Sequence, residues 1–505
     1  MIVKQQDWCS KWALYSPGKI CVKEYETNRR LTYAELNNQA NHLAYFIAEQ
    51  YGIQKGDRIA IVAENCLEYI ILFAVAQKTG CILVPLNYRL ASEEIDYLLQ
   101  NADPKLVITE AKFQAVVQST ATFSKIVHHW SMEALKMFCE NFNEQPFNDY
   151  PLVELHEDDP IFILYTSGTT GFPKGALYTH KMLFWNSINT ALSLVVNTES
   201  RTLNCMPPFH TGGWNVLTTP FLHHGAYVCM MKSFDAKTAL KLLEQEEVSI
   251  FMGVPTLLKM IADEPGFDKA TFSKLNYIIV GGEPMPIPLI EKWHDKNVPI
   301  RQGFGMTEVG PNLTSLHQDD AIRKKGAIGR PNFYVQIKVV DEDNNEVGVN
   351  ESGELLLKGP MVTPGYWRNE QATKKAIQGG WFHSGDMVRV DEEQYIYVVD
   401  RIKNMFISGG ENVYPAEIER ILLKHEAVDE VVVIAVADEK WGETGKAFIV
   451  KNKALKLDAN DVSSFCQSKL AKFKIPKHIV FVKEIPKNDT GKINRQILKN
   501  SHAKT

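Results

Sequence analysis

Short apolar runs that recur between amphipathic stretches restrict the architecture of this chain more than any other feature. Ile59-Ala60-Ile61-Val62, Cys81-Ile82-Leu83-Val84-Pro85, Leu106-Val107-Ile108, Ile250-Phe251-Met252 and Tyr277-Ile278-Ile279-Val280 are each too short for a helix. Turn residues stop them, as Gly281-Gly282 does after the last. Between the first two lies a helical stretch from Cys66 to Lys78. Residues 31–50 place Leu36, Ala40, Leu43, Ala44 and Ile47 at helical spacing behind Thr32, with Glu35 three positions on, the pattern of a capped amphipathic helix. Strands buried on both faces read as unbroken apolar runs, so the alternation predicts layered α/β with largely parallel sheets.

After about residue 330 the texture changes. Gln336-Ile337-Lys338-Val339-Val340, the turn-rich Asp341-Glu342-Asp343-Asn344-Asn345 and Gly353-Glu354-Leu355-Leu356-Leu357-Lys358 predict short strands in a small β-rich subdomain over about 330–400. The strand-like IYVVD ending at Asp400 runs into the polar Arg401-Ile402-Lys403-Asn404, and a new pattern begins, with Val431 to Val436 as a strand and Ala459 to Leu470 as a helix. The expected organisation is a large N-terminal domain over residues 1–400, including the β-rich subdomain, then a small α+β C-terminal domain over 401–505, divided at Asp400.

At a typical domain length, 505 residues make roughly three structural units, which is enzyme-sized. With 45% hydrophobic and 23% charged residues, the chain can bury real cores and is not disordered. Its longest apolar runs, Ile70 to Ala76 among them, fall far short of the roughly 20 residues that span a bilayer. The opening MIVKQQDWCSKW lacks the basic-then-apolar order of a secretory signal, so a cytoplasmic protein is expected. The net charge of −5 argues against a protein that works by neutralising phosphates along a nucleic acid. From Arg401 onward, however, 19 Lys and Arg face 13 Asp and Glu. That basic tail suits a cap over an anionic ligand as well as it suits ordinary solubility charge. The eight cysteines are dispersed without a C-x-x-C pair, which reads as reduced and structural.

The densest motif is Tyr165-Thr166-Ser167-Gly168-Thr169-Thr170-Gly171-Phe172-Pro173-Lys174-Gly175, directly after the strand-like Ile161 to Leu164. Glycines among hydroxyls, with a lysine, can present backbone N–H groups, O–H donors and an ammonium to a polyphosphate. It is not a Walker A loop, because Lys174 follows proline and precedes glycine. A zinc-protease His-Glu-x-x-His, a Gly-x-Ser-x-Gly elbow and a protein-kinase catalytic loop are all absent from the sequence.

This loop resembles the signature of the adenylate-forming superfamily of acyl-CoA synthetases, luciferases and peptide-synthetase adenylation domains. Four further segments match that family in order. Gly303-Phe304-Gly305-Met306-Thr307-Glu308 is similar to its second core motif, which implies that Thr307 meets the α-phosphate and that Glu308, with Thr166, holds Mg²⁺. Gly282 and Glu283 are implied on the nucleotide as well. Trp381-Phe382-His383-Ser384-Gly385-Asp386 resembles the segment whose Asp grips both ribose hydroxyls, and Arg401 matches a ribose and phosphate contact at the interdomain hinge. The last segment, Pro486 to Arg495, makes Lys492 the candidate catalytic lysine.

The resemblance implies that ATP and a carboxylic acid give an acyl-adenylate with loss of pyrophosphate, after which the acyl group passes to CoA. It implies too that the C-terminal domain is mobile, turning about Asp400 so that Gly409-Gly410 replaces Lys492 beside the pantetheine arm. Pro207-Pro208-Phe209-His210-Thr211-Gly212-Gly213-Trp214 is similar to the segment that carries a His or aromatic gate at the acyl pocket, with His210 as the gate. Thr211, Trp214, Gly281, Met306 and Val309 are implied as walls of the acyl and CoA channel. Small apolar walls favour a medium- or long-chain fatty acid. An aryl acid, or a carrier protein in place of CoA, is kept as the alternative, and a homodimer or a peripheral membrane contact stays open.

Overall fold

The computed structural model describes residues 6–142, 148–166, 173–282, 285–408, 411–467, 469–487 and 493–502. The chain divides into two compact units, one of residues 1–323, 331–336 and 357–382, the other of 324–330, 337–356 and 383–505.

Among the described residues, three sheets build the first unit. One runs His128–Ser131, Leu106–Thr109, Arg58–Val62, Ile82–Pro85, Pro160–Thr166 and Lys174–Thr179 across its width. The first five strands are parallel, and only the last pair is antiparallel. The second sheet places Ile20–Glu24 and Arg201–Asn204 on either side of Tyr227–Met230, all parallel, with Arg30–Thr32 antiparallel at its edge. In the third, Ile250–Gly253, Tyr277–Val280 and Ile300–Phe304 lie parallel, and Thr314–Ser315 returns antiparallel. The expected layered α/β architecture with largely parallel sheets is what the chain adopts.

Local chemistry accounts for the helices. Tyr33–Tyr51 begins with the expected capping box: the Thr32 hydroxyl accepts from the Glu35 N–H, and the Glu35 carboxylate accepts from the Thr32 N–H. Gly52 closes it in the left-handed conformation at φ 60°. Leu67–Thr79 is apolar nearly all round and buried along its entire length, as a helix sandwiched inside a core must be. Its one cation, Lys78, is fully buried and reaches Asp7 Oδ2 at 2.9 Å and Asn37 Oδ1 at 2.6 Å. Phe73, Phe162 and Trp214 pack in the same core, where each fully buried large side chain contributes about 1.5–3 kcal/mol.

The second unit is built on antiparallel hairpins. Trp381–Val390 pairs with Ile396–Arg401, with an irregularity between Met387 and Val388. Farther on, Val428–Asp438 and Gly442–Lys451 form a long hairpin, and His478–Val482 joins it in parallel. Helix Pro415–Leu422 covers this sheet, burying Ile418 and Leu422 in a core with Val431, Val433 and Ala447. All eight cysteines are free. Among the described residues, no helix is long and apolar enough to cross a membrane.

Candidate active site

In the first unit, Thr166 is the last residue of strand Pro160–Thr166 and stands in register with Lys174, the first residue of the strand Lys174–Thr179 that pairs with it. Both therefore sit at a strand end, where parallel sheets of this kind present their ligand sites. Glu308 lies on the single turn Thr307–Val309 and is buried. Its Oε1 accepts from the Thr166 hydroxyl at 3.2 Å and from the Tyr366 phenol at 3.0 Å. Thr166 and Glu308, paired by resemblance across 142 positions, are brought into direct contact.

The third member, Tyr366, was not legible in the sequence. Segment 363–367 is laced to strand Lys174–Thr179: Leu177 N–H donates to Gly365 O at 3.1 Å, and Trp367 N–H donates to Gly175 O at 2.7 Å. Thr363 N–H also donates to the Glu308 carbonyl at 2.7 Å, so this segment holds the turn that carries Glu308 by backbone as well as side chain. The Tyr366 ring lies 5.2 Å from Lys174 Nζ. Burial, and then the Glu308 charge, push the phenol well above its ordinary range, so it remains the donor. Thr363-Pro364-Gly365 reads as an ordinary turn, and nothing local announces a contact 58 residues away.

Close packing shapes the turn that carries Thr307 and Glu308. A Cβ on Gly305 would stand 1.9 Å from the carbonyl oxygen of Pro311, so only glycine permits this approach. Beyond Pro311, Asn312 donates through Nδ2 to Thr190 Oγ1 at 2.5 Å and to Val216 O at 3.0 Å, while Asn186 donates to Asn215 O at 2.6 Å. These buried amides tie the loop to helix His180–Leu194 and to the residues that follow Trp214.

The segment proposed for the acyl gate is equally tight. His210 precedes the short turn Thr211–Trp214, with its ring 4.5 Å from that of Phe209. Trp214 points into the core, where its Nε1 donates to Pro208 O at 2.7 Å and its ring meets Phe162 at 5.1 Å. Gly213 is required here too, since a Cβ would lie 2.4 Å from Pro207 O. Val309 is fully buried, whereas Gly281, Gly303, Phe304, Met306, Thr307 and Thr211 are partly exposed and Gly282 is exposed.

In the second unit, Asp386 is buried on strand Trp381–Val390, and Arg401 stands opposite it on the neighbouring strand. Arg401 Nε approaches Asp386 Oδ1 to 2.7 Å, with nearly half of the arginine side chain exposed. Asp400 is buried beside them; its carboxylate accepts from the backbone N–H of Ala416 at 2.7 Å and from Asn404 Nδ2 at 3.0 Å. Ser167, Gly168, Thr169, Thr170, Glu283, Gly409, Gly410 and Lys492 lie outside the described residues.

Among the described residues, no group of three or more His, Cys, Asp or Glu could hold a metal alone. One carboxylate and one hydroxyl, with both O–H donors falling on Oε1, instead suit a hard cation that arrives carrying phosphate oxygens. Mg²⁺ fits that donor set.

A model of the AMP-binding enzyme family matches residues 9–367, and one of the AMP-binding enzyme C-terminal domain matches 417–492. The long-chain-fatty-acid–CoA ligase FadD13 of Mycobacterium tuberculosis is 36% identical over 498 residues, 98% of this chain and 97% of its own. The feruloyl-CoA synthase of an Amycolatopsis species is 34% identical over 488 residues, 96% of each. Among solved structures, the o-succinylbenzoate CoA synthetase MenE of Bacillus subtilis, in complex with its acyl-adenylate, superimposes with a TM-score of 0.86 at 29% identity over 98% of both chains. The chain belongs to the AMP-binding enzyme family of adenylate-forming enzymes. It is an AMP-forming acid–CoA ligase, with ATP and CoA as the substrates that fit the family.

Proposed function

We propose that the acid is a medium- or long-chain fatty acid. The observation that carries this reading is the convergence of two methionines beside the gate: a Cβ on Gly212 would lie 3.6 Å from Met206 Cε and 3.8 Å from Met252 Cε. Thioether side chains are apolar and adapt their shape, which suits a flexible hydrocarbon better than one rigid outline. FadD13 is named for long-chain fatty acids, which supports the choice. An aryl acid is the second reading, favoured by the relative named for feruloyl-CoA formation.

In the first half-reaction, a carboxylate oxygen of the acid bonds to the α-phosphorus of ATP as the bond to pyrophosphate breaks. Lys492 supplies positive charge between the carboxylate and the α-phosphate, and Thr307 donates to the latter. Lys174 and the loop before it hold the outer phosphates, while Asp386 accepts from the ribose hydroxyls. Mg²⁺, when bound by Glu308 and Thr166, neutralises phosphate charge. In the second half-reaction, the CoA thiolate bonds to the acyl carbon and AMP leaves with the electron pair. The part of the chain beyond Asp400 turns between the two, exchanging Lys492 for Gly409-Gly410, and His210 opens the thiol path.

Pyrophosphate release with ATP and Mg²⁺, across fatty acids from short to long and several aryl acids, tests the substrate. Turnover that rises with alkyl length and needs CoA is expected; a preference for an aromatic acid would move the assignment to the second reading. Lys492→Ala should lower pyrophosphate release by about 10²–10³-fold, the cost of one removed transition-state donor. It should leave thioester formation from added acyl-adenylate nearly intact, and an equal loss of both would refute the division of labour.

A further inference from the structure

We propose that Tyr366 is a positioning residue that aims the Glu308 carboxylate at the nucleotide-bound cation and, through its ring, sets the height of Lys174 over the phosphates. This rests on the reading that Glu308 holds Mg²⁺.

Three observations converge on it. The Tyr366 hydroxyl and the Thr166 hydroxyl both donate to the same oxygen of Glu308, at 3.0 and 3.2 Å. A carboxylate with two donors on Oε1 cannot rotate freely about its terminal torsion, so Oε2 is the oxygen that would meet a cation. The phenol is itself held by the backbone, because the bridge between Tyr366 and Ala176 and the bonds from Leu177 and Trp367 stitch its segment to strand Lys174–Thr179. Gly365 makes the turn possible: its φ is +148°, and a Cβ there would stand 2.5 Å from Thr373 Cγ2. Finally, Lys174 Nζ lies over the face of the same ring at 5.2 Å, within the range of a cation–π attraction. One side chain therefore touches both a phosphate-loop cation and a metal-binding carboxylate, while strand Lys174–Thr179 ties it to the frame that carries them. Outer partners that orient a metal ligand typically govern affinity, because an unaimed carboxylate pays the cost of ordering when the metal binds.

The test replaces Tyr366→Phe, which keeps the ring under Lys174 and removes only the O–H. Mn²⁺ binding, followed by electron paramagnetic resonance with a non-hydrolysable ATP analogue present, reads the metal site without turnover. Affinity for Mn²⁺ should fall roughly tenfold to a hundredfold, the range for loss of an outer partner. Affinity for the analogue measured in EDTA should stay within about twofold of wild type, since the ring and its cation–π contact are retained. Tyr366→Leu should, in contrast, weaken the analogue in EDTA as well. Unchanged Mn²⁺ affinity in Tyr366→Phe overturns the proposal, as does an equal loss with and without metal. Glu308→Gln separates the two levels. If it too leaves Mn²⁺ binding unchanged, the assignment of Glu308 to the metal has failed; if it abolishes binding while Tyr366→Phe does not weaken it, only the positioning role has failed. Thermal unfolding of each variant identifies any that does not fold, in which case Tyr366→His, which retains a ring and a donor, takes the same measurements and should bind Mn²⁺ better than Tyr366→Leu.

Discussion

Arg401 Nε lies 2.7 Å from Asp386 Oδ1, an ion pair across two paired strands, and the aspartate is buried while the arginine reaches solvent. The resemblance assigns both residues to the same ribose. On the proposed reading the arginine orients the carboxylate, so that it would accept from two vicinal hydroxyls with little rearrangement. Asp386→Asn should therefore raise the KM for ATP by about tenfold, the scale of a lost hydrogen bond to a charged acceptor. The sharper readout is discrimination: wild type should prefer ATP to 2′-deoxy-ATP, and the variant should not. A variant that still discriminates would remove Asp386 from the ribose.

Gly305 and Pro311 are packed backbone to backbone, with no room for a side chain. Gly305→Ala should displace the turn holding Thr307 and Glu308 and lower pyrophosphate release by about 10²-fold, the cost of a misplacement near 1 Å. Gly18→Ala, at a site where a Cβ meets nothing within 4 Å, is the control and should be silent. Equal activity in the two variants would show that the turn adapts.

Lys78 and Asp7 form an ion pair in which neither side chain is appreciably exposed. Asp7 also caps helix Trp8–Tyr15 by accepting from the Ser10 N–H at 3.0 Å. Asp7→Ala should cost about 3–5 kcal/mol in urea unfolding, because it strands a buried ammonium. The double variant Asp7→Asn with Lys78→Met keeps the cap, removes the charge and should recover most of that loss. If the single and double variants are equally unstable, the ion pair is not the cause.

His180 is buried and His223 half-buried, and loss of hydration pushes their pKa values down to about 4 and about 3. His223 stacks on Trp8 at 3.9 Å, so it secures the N-terminal helix. Between the unfolded value of about 6.5 and those lowered values, only the unfolded chain takes up the proton. The contribution of these two histidines to stability should be constant above about pH 7 and fall steadily as the pH drops from about 6.5 toward 4, since the unfolded state binds more protons in that window. His223→Phe, which preserves the stack, should flatten the slope of unfolding free energy against pH. An unaltered slope would exclude His223 as its source.

The alternation of strands and helices was legible because its causes are local. Thr32 and Glu35 cap their helix from three residues apart, and the apolar runs at Ile59 to Val62 and Tyr277 to Val280 are strands wherever they lie in a layered sheet. Thr166, Glu308 and Asp386 stood out as candidate site residues because the short segments that carry them resemble the motifs of the family. What the sequence could not decide was who meets whom. Tyr366 on Glu308, Arg401 on Asp386 and Asp7 on Lys78 depend on strand register, on the register shift after Met387 and on a core closing around a helix buried on every face. Periodicity and capping act over a few residues. Contacts such as these are selected only when distant segments pack together at the density of a protein interior, where a single misplaced carbon, as at Gly305, is already excluded.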